Sequence, residues 1–204
     1  RIRAQYRLEV DSHPPTIPYR ETIAAAAEGH HRHKKQSGGA GQFGEVFLRI
    51  APLARGEGFR FVDEVKGGVI PSVFIPAVEK GVRQALAGGA IAGFPVQDVQ
   101  VTVYDGKTHS VDGKEIAFVT AGRKAFLDAA SRARPIVLEP IVSLELVIPQ
   151  EAIGAVSGEL SARRGQVSGS GAARAGMATL RGRAPLAELS DFQGRLKAIT
   201  GGQG

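Results

Sequence analysis

Apolar residues recur at every second position in some stretches of the chain and at three- and four-residue intervals in others, and the changes between the two periods mark out the elements. Ile2, Ala4, Tyr6, Leu8 and Val10 alternate with polar neighbours as a strand, which Pro14, Pro15 and Pro18 stop. One strand does not fold alone, so it is expected to close a sheet that lies upstream. Residues 30–35 are polar and rich in histidine. They lead through Ser37-Gly-Gly-Ala-Gly-Gln-Phe-Gly44 into residues 45–51, which alternate, predicting strand, loop and strand. Phe59, Phe61 and Val65 predict a further strand. Ile75, Val78, Val82 and Leu86 share one helical face, with Pro76 tolerated in the first turn and Gly88-Gly89 ending the helix. Val99, Val101 and Val103 alternate with Asp98, Gln100 and Thr102 as a half-buried strand running into a turn at Tyr104-Asp105-Gly106. A second helix follows, with Ile116, Val119, Phe126 and Ala130 expected inward.

Arg134-Pro135 breaks that helix and residues 136–148 restart as one strand, so a domain boundary is expected here. A helix over residues 150–163 places Ile153, Val156 and Leu160 on one face and ends at Arg163-Arg164-Gly165, with the glycine as its cap. Two strands, near residues 166–170 and 177–184, are joined by a hairpin of small residues. Leu189, Phe192, Leu196 and Ile199 then form a short amphipathic helix. The order β-α-β-β-α fits a split β-α-β sandwich of ferredoxin type whose last strand is absent. The fold class expected for the whole chain is therefore α+β.

Composition narrows the function. With 204 residues and 43% hydrophobic content the chain can bury a core in one large or two ordinary domains. No apolar run approaches the roughly 18 residues of a membrane span, and the first residues lack the apolar stretch of a signal peptide. Cysteine is absent, which excludes disulfides and thiolate metal sites. Lys and Arg outnumber Asp and Glu by 26 to 20, a net +6 that favours polyanionic partners. Only 6% of residues are aromatic and none is Trp, which argues against stacking platforms for single-stranded bases; an RNA partner would be met by shape and phosphate contacts.

Candidate chemistry is sparse. Gly106-Lys107-Thr108 resembles the end of a phosphate-binding loop, but position 101, where that motif requires glycine, is Val. His30, His31 and His33 could share strand faces as metal ligands, yet Arg32, Lys34 and Lys35 oppose a metal charge and a solvated basic face is favoured; no metal site is expected. No nucleophile, base and acid set is recognisable, so no catalytic residue is assigned. The four glycines of residues 37–44 let the backbone come close to a partner surface, although composition alone leaves a plain hairpin tip equally open.

The motifs together resemble the elongation factor G family. Tyr19-Arg-Glu-Thr-Ile23, Gln36-Ser-Gly-Gly-Ala-Gly-Gln-Phe-Gly44, Gly67-Gly-Val-Ile-Pro71, Ile75-Pro-Ala-Val78, Gly93-Phe-Pro-Val96, Tyr104-Asp-Gly106 with His109 and Asp112, Leu138-Glu-Pro-Ile141, Ala162-Arg-Arg-Gly-Gln166 and Pro185-Leu-Ala-Glu188 follow that family's order and spacing along the whole chain. The resemblance implies that residues 1–13 end a third domain, residues 14–134 form the fourth, and residues 135–204 form most of the fifth. The fourth would have a ribosomal-protein-like β-α-β fold with a left-handed crossover, and the fifth would be ferredoxin-like.

By the same resemblance this chain is a non-catalytic, ribosome-binding arm. The GTPase domain, with its GTP and Mg, belongs to the parent protein, and no cofactor is expected here. Ser37, Gly38, Gly39, Gly41, Gln42, Phe43 and Gly44, with Asp105, Gly106, Lys107 and His109, would form a tip that meets tRNA and mRNA in the A site of the small subunit. Arg163, Arg164 and Gln166 would meet the large subunit, so the partners are the rRNA of both subunits. The protein would be cytoplasmic and monomeric, with no membrane contact. The family's translocases commonly carry Arg where this loop has Ala40, which leaves open a paralogue acting in ribosome recycling or protection.

Overall fold

The computed structural model describes residues 16–36, 41–174 and 176–204. The strand expected over residues 2–10 lies outside them. The described residues form two compact units, Tyr19–Leu138 and Glu139–Gly204.

The first unit contains β1 (Arg20–Ile23), β2 (Ala27–Lys35), β3 (Gln42–Pro52), β4 (Phe59–Asp63), α1 (Ile75–Gly88), β5 (Val99–Lys107), α2 (Glu115–Arg132) and β6 (Pro135–Leu138). Its main sheet runs β2-β3-β5-β4. β2, β3 and β5 pair antiparallel, while β4 lies parallel to β5 because α1 carries the chain back across the sheet. Val46, Leu48 and Ile50 of β3 and Val99, Val101 and Val103 of β5 are buried, and they form one core with Val78 and Val82 of α1 and Phe118 and Phe126 of α2. The alternation seen in the sequence therefore marks one covered face and one open face of this sheet. β1 and β6 pair antiparallel as a separate two-stranded sheet.

Three expectations are corrected in this unit. Tyr104-Asp105-Gly106 makes no turn: β5 continues to Lys107, with a shift of register at Tyr104 opposite Phe47 and Leu48, and Gly106 pairs with Val46. A Cβ on Gly106 would overlap the Glu45 carbonyl and the Ile70 side chain, so this glycine serves close packing inside a strand. Ile116 is 52% exposed, and Ala117 and Phe118 point inward in its place. Residues 136–148 are two strands, not one. β6 belongs to the sheet with β1, and the chain breaks at Glu139-Pro140 before the next strand begins.

Two buried carboxylates fix loops of the same unit. Glu21 is fully buried and accepts the amides of Ala90, Ile91, Ala92 and Phe94 at 2.6, 2.9, 2.8 and 3.0 Å, holding the loop after α1. Asp98 adopts a positive φ of 59° and accepts the amides of Gly56 and Gly58 at 3.0 and 2.9 Å, with Arg55 also at 3.0 Å.

The second unit contains β7 (Ile141–Pro149), α3 (Ile153–Ala162), β8 (Gln166–Ala172), β9 (Met177–Pro185) and α4 (Phe192–Ile199). The antiparallel sheet runs β7-β9-β8, and Ile148 and Leu180 meet Val156, Leu160, Phe192 and Leu196 of the two helices. At the end of α3 the left-handed residue is Arg164, with φ 58°, rather than the predicted Gly165. The Gly165 amide donates to the Leu160 carbonyl at 2.8 Å and the Arg164 amide to Ser161 at 3.1 Å, which is the Schellman pattern of bonds.

Candidate nucleic-acid interface

Two connections leave the same end of the main sheet and meet there. One joins β2 to β3. The other runs from the end of β5 at Lys107 to the start of α2 at Glu115. The Phe43 amide donates to the Asp112 carbonyl at 2.7 Å, and Phe43 forms an isolated parallel bridge with Gly113. Gly41 lies directly against the Asp112 side chain, where any Cβ would collide with the carboxylate. The Phe43 and His109 rings lie 6.2 Å apart at 57°, within the range of tilted aromatic contact.

The second connection is closed on itself. The Gly113 amide donates to the His109 carbonyl at 2.8 Å, and His109 Nδ1 accepts the amides of Val111 and Asp112, both at 3.3 Å. An Nδ1 that accepts two amides leaves the ring hydrogen of the neutral imidazole on Nε2. The loop thus shows a half-exposed imidazole together with Val111, which is 78% exposed. An apolar side chain so displayed beside a ring and backbone amides suits contact with another surface.

The sequence-predicted tip residues are divided by the structure. Gly41, Phe43 and His109 come together as described. Gln42 belongs to the same end, its Oε1 3.1 Å from His33 Nε2, and Lys107 pairs in register with Glu45. Gly44 packs its backbone against Ala117 and Phe118 of α2, and Asp105 and Gly106 lie within β5, so these three support the tip. Ser37, Gly38 and Gly39 lie outside the described residues. Asp112 and Gly113 were missing from the predicted set although they join the two connections. Asp112 stands in the motif with His109, and Gly113 shows only as the second half of an Asp-Gly pair just before a helix.

Arg163 and Arg164 are engaged within their own unit. The Arg163 side chain is 14% exposed, donates to Glu159 at 2.9 Å and to Asp191, and lies 5.7 Å over the Phe192 ring. Arg164 makes a two-pronged pair with Glu139 at 2.6 and 2.9 Å and reaches Glu188 at 2.9 Å. Gln166, exposed at the start of β8, has no such tie among the described residues. Among the described residues no group of three or more His, Asp or Glu side chains could hold a metal ion, and no helix is long and apolar enough to cross a membrane.

Family models for elongation factor G match in two places: domain IV over residues 15–134 and the C-terminus over residues 136–204. The chain belongs to the elongation factor G family. It is 45% identical over its full 204 residues to an elongation factor G-like protein of Thermotoga maritima and 44% identical to elongation factor G of Aquifex pyrophilus. It spans 30% and 29% of those relatives' lengths. A crystal structure of a protein from Thermus thermophilus superimposes on 97% of the chain with a TM-score of 0.86 and 40% identity, over 29% of that protein. The α+β architecture is therefore that of the family's fourth domain and C-terminal region, and the joined connections lie in the domain IV segment.

Proposed function

We propose that this chain is the ribosome-binding arm of a translational GTPase, and that its tip enters the A site of the small subunit to promote movement of tRNA and mRNA. The observation that carries this reading is the junction of Phe43 with Asp112, which fuses two connections into one projection displaying His109 and Val111. A projection braced by backbone bonds suits a wedge that occupies a site and biases the ribosome against slipping back, a population shift that needs no bond chemistry in this chain. Backbone amides, Lys107 and His109 would meet phosphate and sugar groups without reading base sequence. GTP and Mg would act in a separate domain of the parent protein, and Gln166 would belong to the contact with the large subunit.

A second reading, a paralogue acting in ribosome recycling or protection, is favoured by Ala40, which puts a methyl group where the family's translocases commonly carry Arg.

His109→Ala in the full-length protein tests the first reading. Single-round translocation is expected to slow at least tenfold while ribosome-stimulated GTP hydrolysis stays within twofold of the parent. Equal losses in both would end the wedge reading. Fast subunit splitting with no translocation by the unaltered protein would select the second.

A further inference from the structure

β2 carries the histidine-rich run along an edge of the main sheet, where among the described residues β3 is its only sheet neighbour. The period of two divides the run between two faces. On the open face, His30 Nε2 and Arg32 reach the buried Glu45 carboxylate at 2.8 and 3.0 Å, and the His30 ring stacks on Phe47 at 4.1 Å. Those side chains already have partners.

The other face differs. Gly29 sits directly on α2, because a Cβ there would overlap the Ala125 carbonyl, and this contact lays the strand along the helix. His31 is thereby brought into the field of Lys124 on α2 as well as that of His33. Lys35 continues the alternation toward the tip and pairs in register with Gln42, next to Phe43. Asp128 is the acid that faces this row, and its Oδ2 is occupied by the His30 amide at 3.0 Å and the Arg132 guanidinium at 2.5 Å. Gln42, the β3 neighbour of His33, is neutral. Among the described residues His31, His33, Lys35 and Lys124 have no carboxylate within ion-pair distance. Burial, then Lys124, His33 and His30 hold the His31 imidazole below its ordinary range, against the opposing pull of Asp128.

We propose that His31, His33 and Lys35 of β2, with Lys124 of α2, form a second RNA contact, a basic strip that takes the phosphodiester backbone of a strand passing the tip and that tightens as His31 gains a proton. Alternate residues of a strand repeat at about 6.7 Å, close to the distance between successive phosphates along one nucleic-acid strand, so the row can meet neighbouring phosphates one by one. An anion there relieves the repulsion among the four groups, and the resulting rise in imidazole proton affinity couples binding to pH. This inference rests on the ribosome-binding reading and adds a second site to it.

The test measures binding of the 204-residue chain to purified 70S ribosomes against salt and pH. Lys35→Gln and Lys124→Gln, both at exposed positions, are each expected to weaken binding severalfold. Each should also lower the slope of log affinity against log salt by about one. Affinity of the unaltered chain should rise severalfold from about pH 7.5 to about pH 6.0, across the range in which imidazoles titrate, and a chain carrying both His31→Gln and His33→Gln should lose that rise. Unchanged affinity and slope in both lysine variants, with His109→Ala still weakening binding, would overturn the strip and leave the tip reading standing. An unaltered chain that does not bind ribosomes at all would remove both. A pH response that survives in the double histidine variant would overturn the proton-coupled part.

Discussion

Gly41 lies against the Asp112 side chain so closely that no Cβ fits between them. Gly41→Ala must therefore push the two connections apart or displace the carboxylate, a local overpacking of about 1–3 kcal/mol. Denaturant unfolding should register a loss of that size. Ribosome binding should fall with it. A Gly41→Ala chain as stable as the parent would show that the contact is not required.

Glu21, Asp98 and Glu45 share one electrostatic logic. Burial pushes each carboxyl up, and each ends below its ordinary range. Four backbone amides outweigh burial at Glu21, the amides of Gly58 and Gly56 with Arg55 do so at Asp98, and Arg32 and His30 do so at Glu45. A carboxyl with a depressed folded pKa contributes stability that is fully present above its unfolded value and lost as pH falls through the folded one. Stability should thus be level near neutral pH and fall on acidification below the ordinary carboxylate range. Glu21→Gln keeps the shape but turns an NH2 toward backbone amides, costing about 2–3 kcal/mol at neutral pH. It should also flatten part of the acid limb. An acid limb of unchanged steepness in that variant would refute the assignment.

The exposure of Ile116 beside the buried Phe118 makes a paired prediction. Ile116→Gln, on an exposed side chain, should change unfolding free energy by no more than about 0.5 kcal/mol, while Phe118→Ala should cost about 3–5 kcal/mol. Similar costs for the two would mean that α2 is rotated from the position described.

Arg164 holds a left-handed backbone angle and two carboxylates at once. Arg164→Gly frees the angle while losing exposed ion pairs, effects of opposite sign, and should leave the thermal midpoint nearly unchanged. Arg164→Val loses both and should lower it clearly. Equal midpoints for the glycine and valine variants would show that the angle carries no cost.

Much of the fold was legible because its main sheet has one covered face, so residues 45–51 and 99–103 wrote the period of two directly into the sequence. The misreadings have separate physical causes. Asp105-Gly106 has the composition of a turn, yet the glycine is needed where the strand touches Ile70. The inward face of α2 is rich in alanine, so an apolar count is drawn to Ile116 although Ala117, Ala121 and Ala125 are the buried residues. Residues 136–148 are apolar on both sides of Glu139-Pro140, so the pattern does not mark the break, although Ile136 and Val137 of β6 are exposed. At the site, Gly41 and His109 entered through the resemblance to elongation factor G and not through composition or spacing. The role of Asp112 was not legible, since it depends on a carbonyl that only the folded chain brings to Phe43. Arg163 and Arg164 stand out in the sequence as basic residues at a helix end, while Asp191 and Glu139, the acids they pair with, are distant in sequence.

Backbone meets backbone where Phe43 bonds to Asp112 and where Gly44 closes on Ala117 and Phe118, with no intervening layer of flexible side chains to yield. A load applied at His109 would then pass into the sheet undamped, since close-packed interiors transmit strain. The joined ends of the two connections would act as a strut and not as a spring.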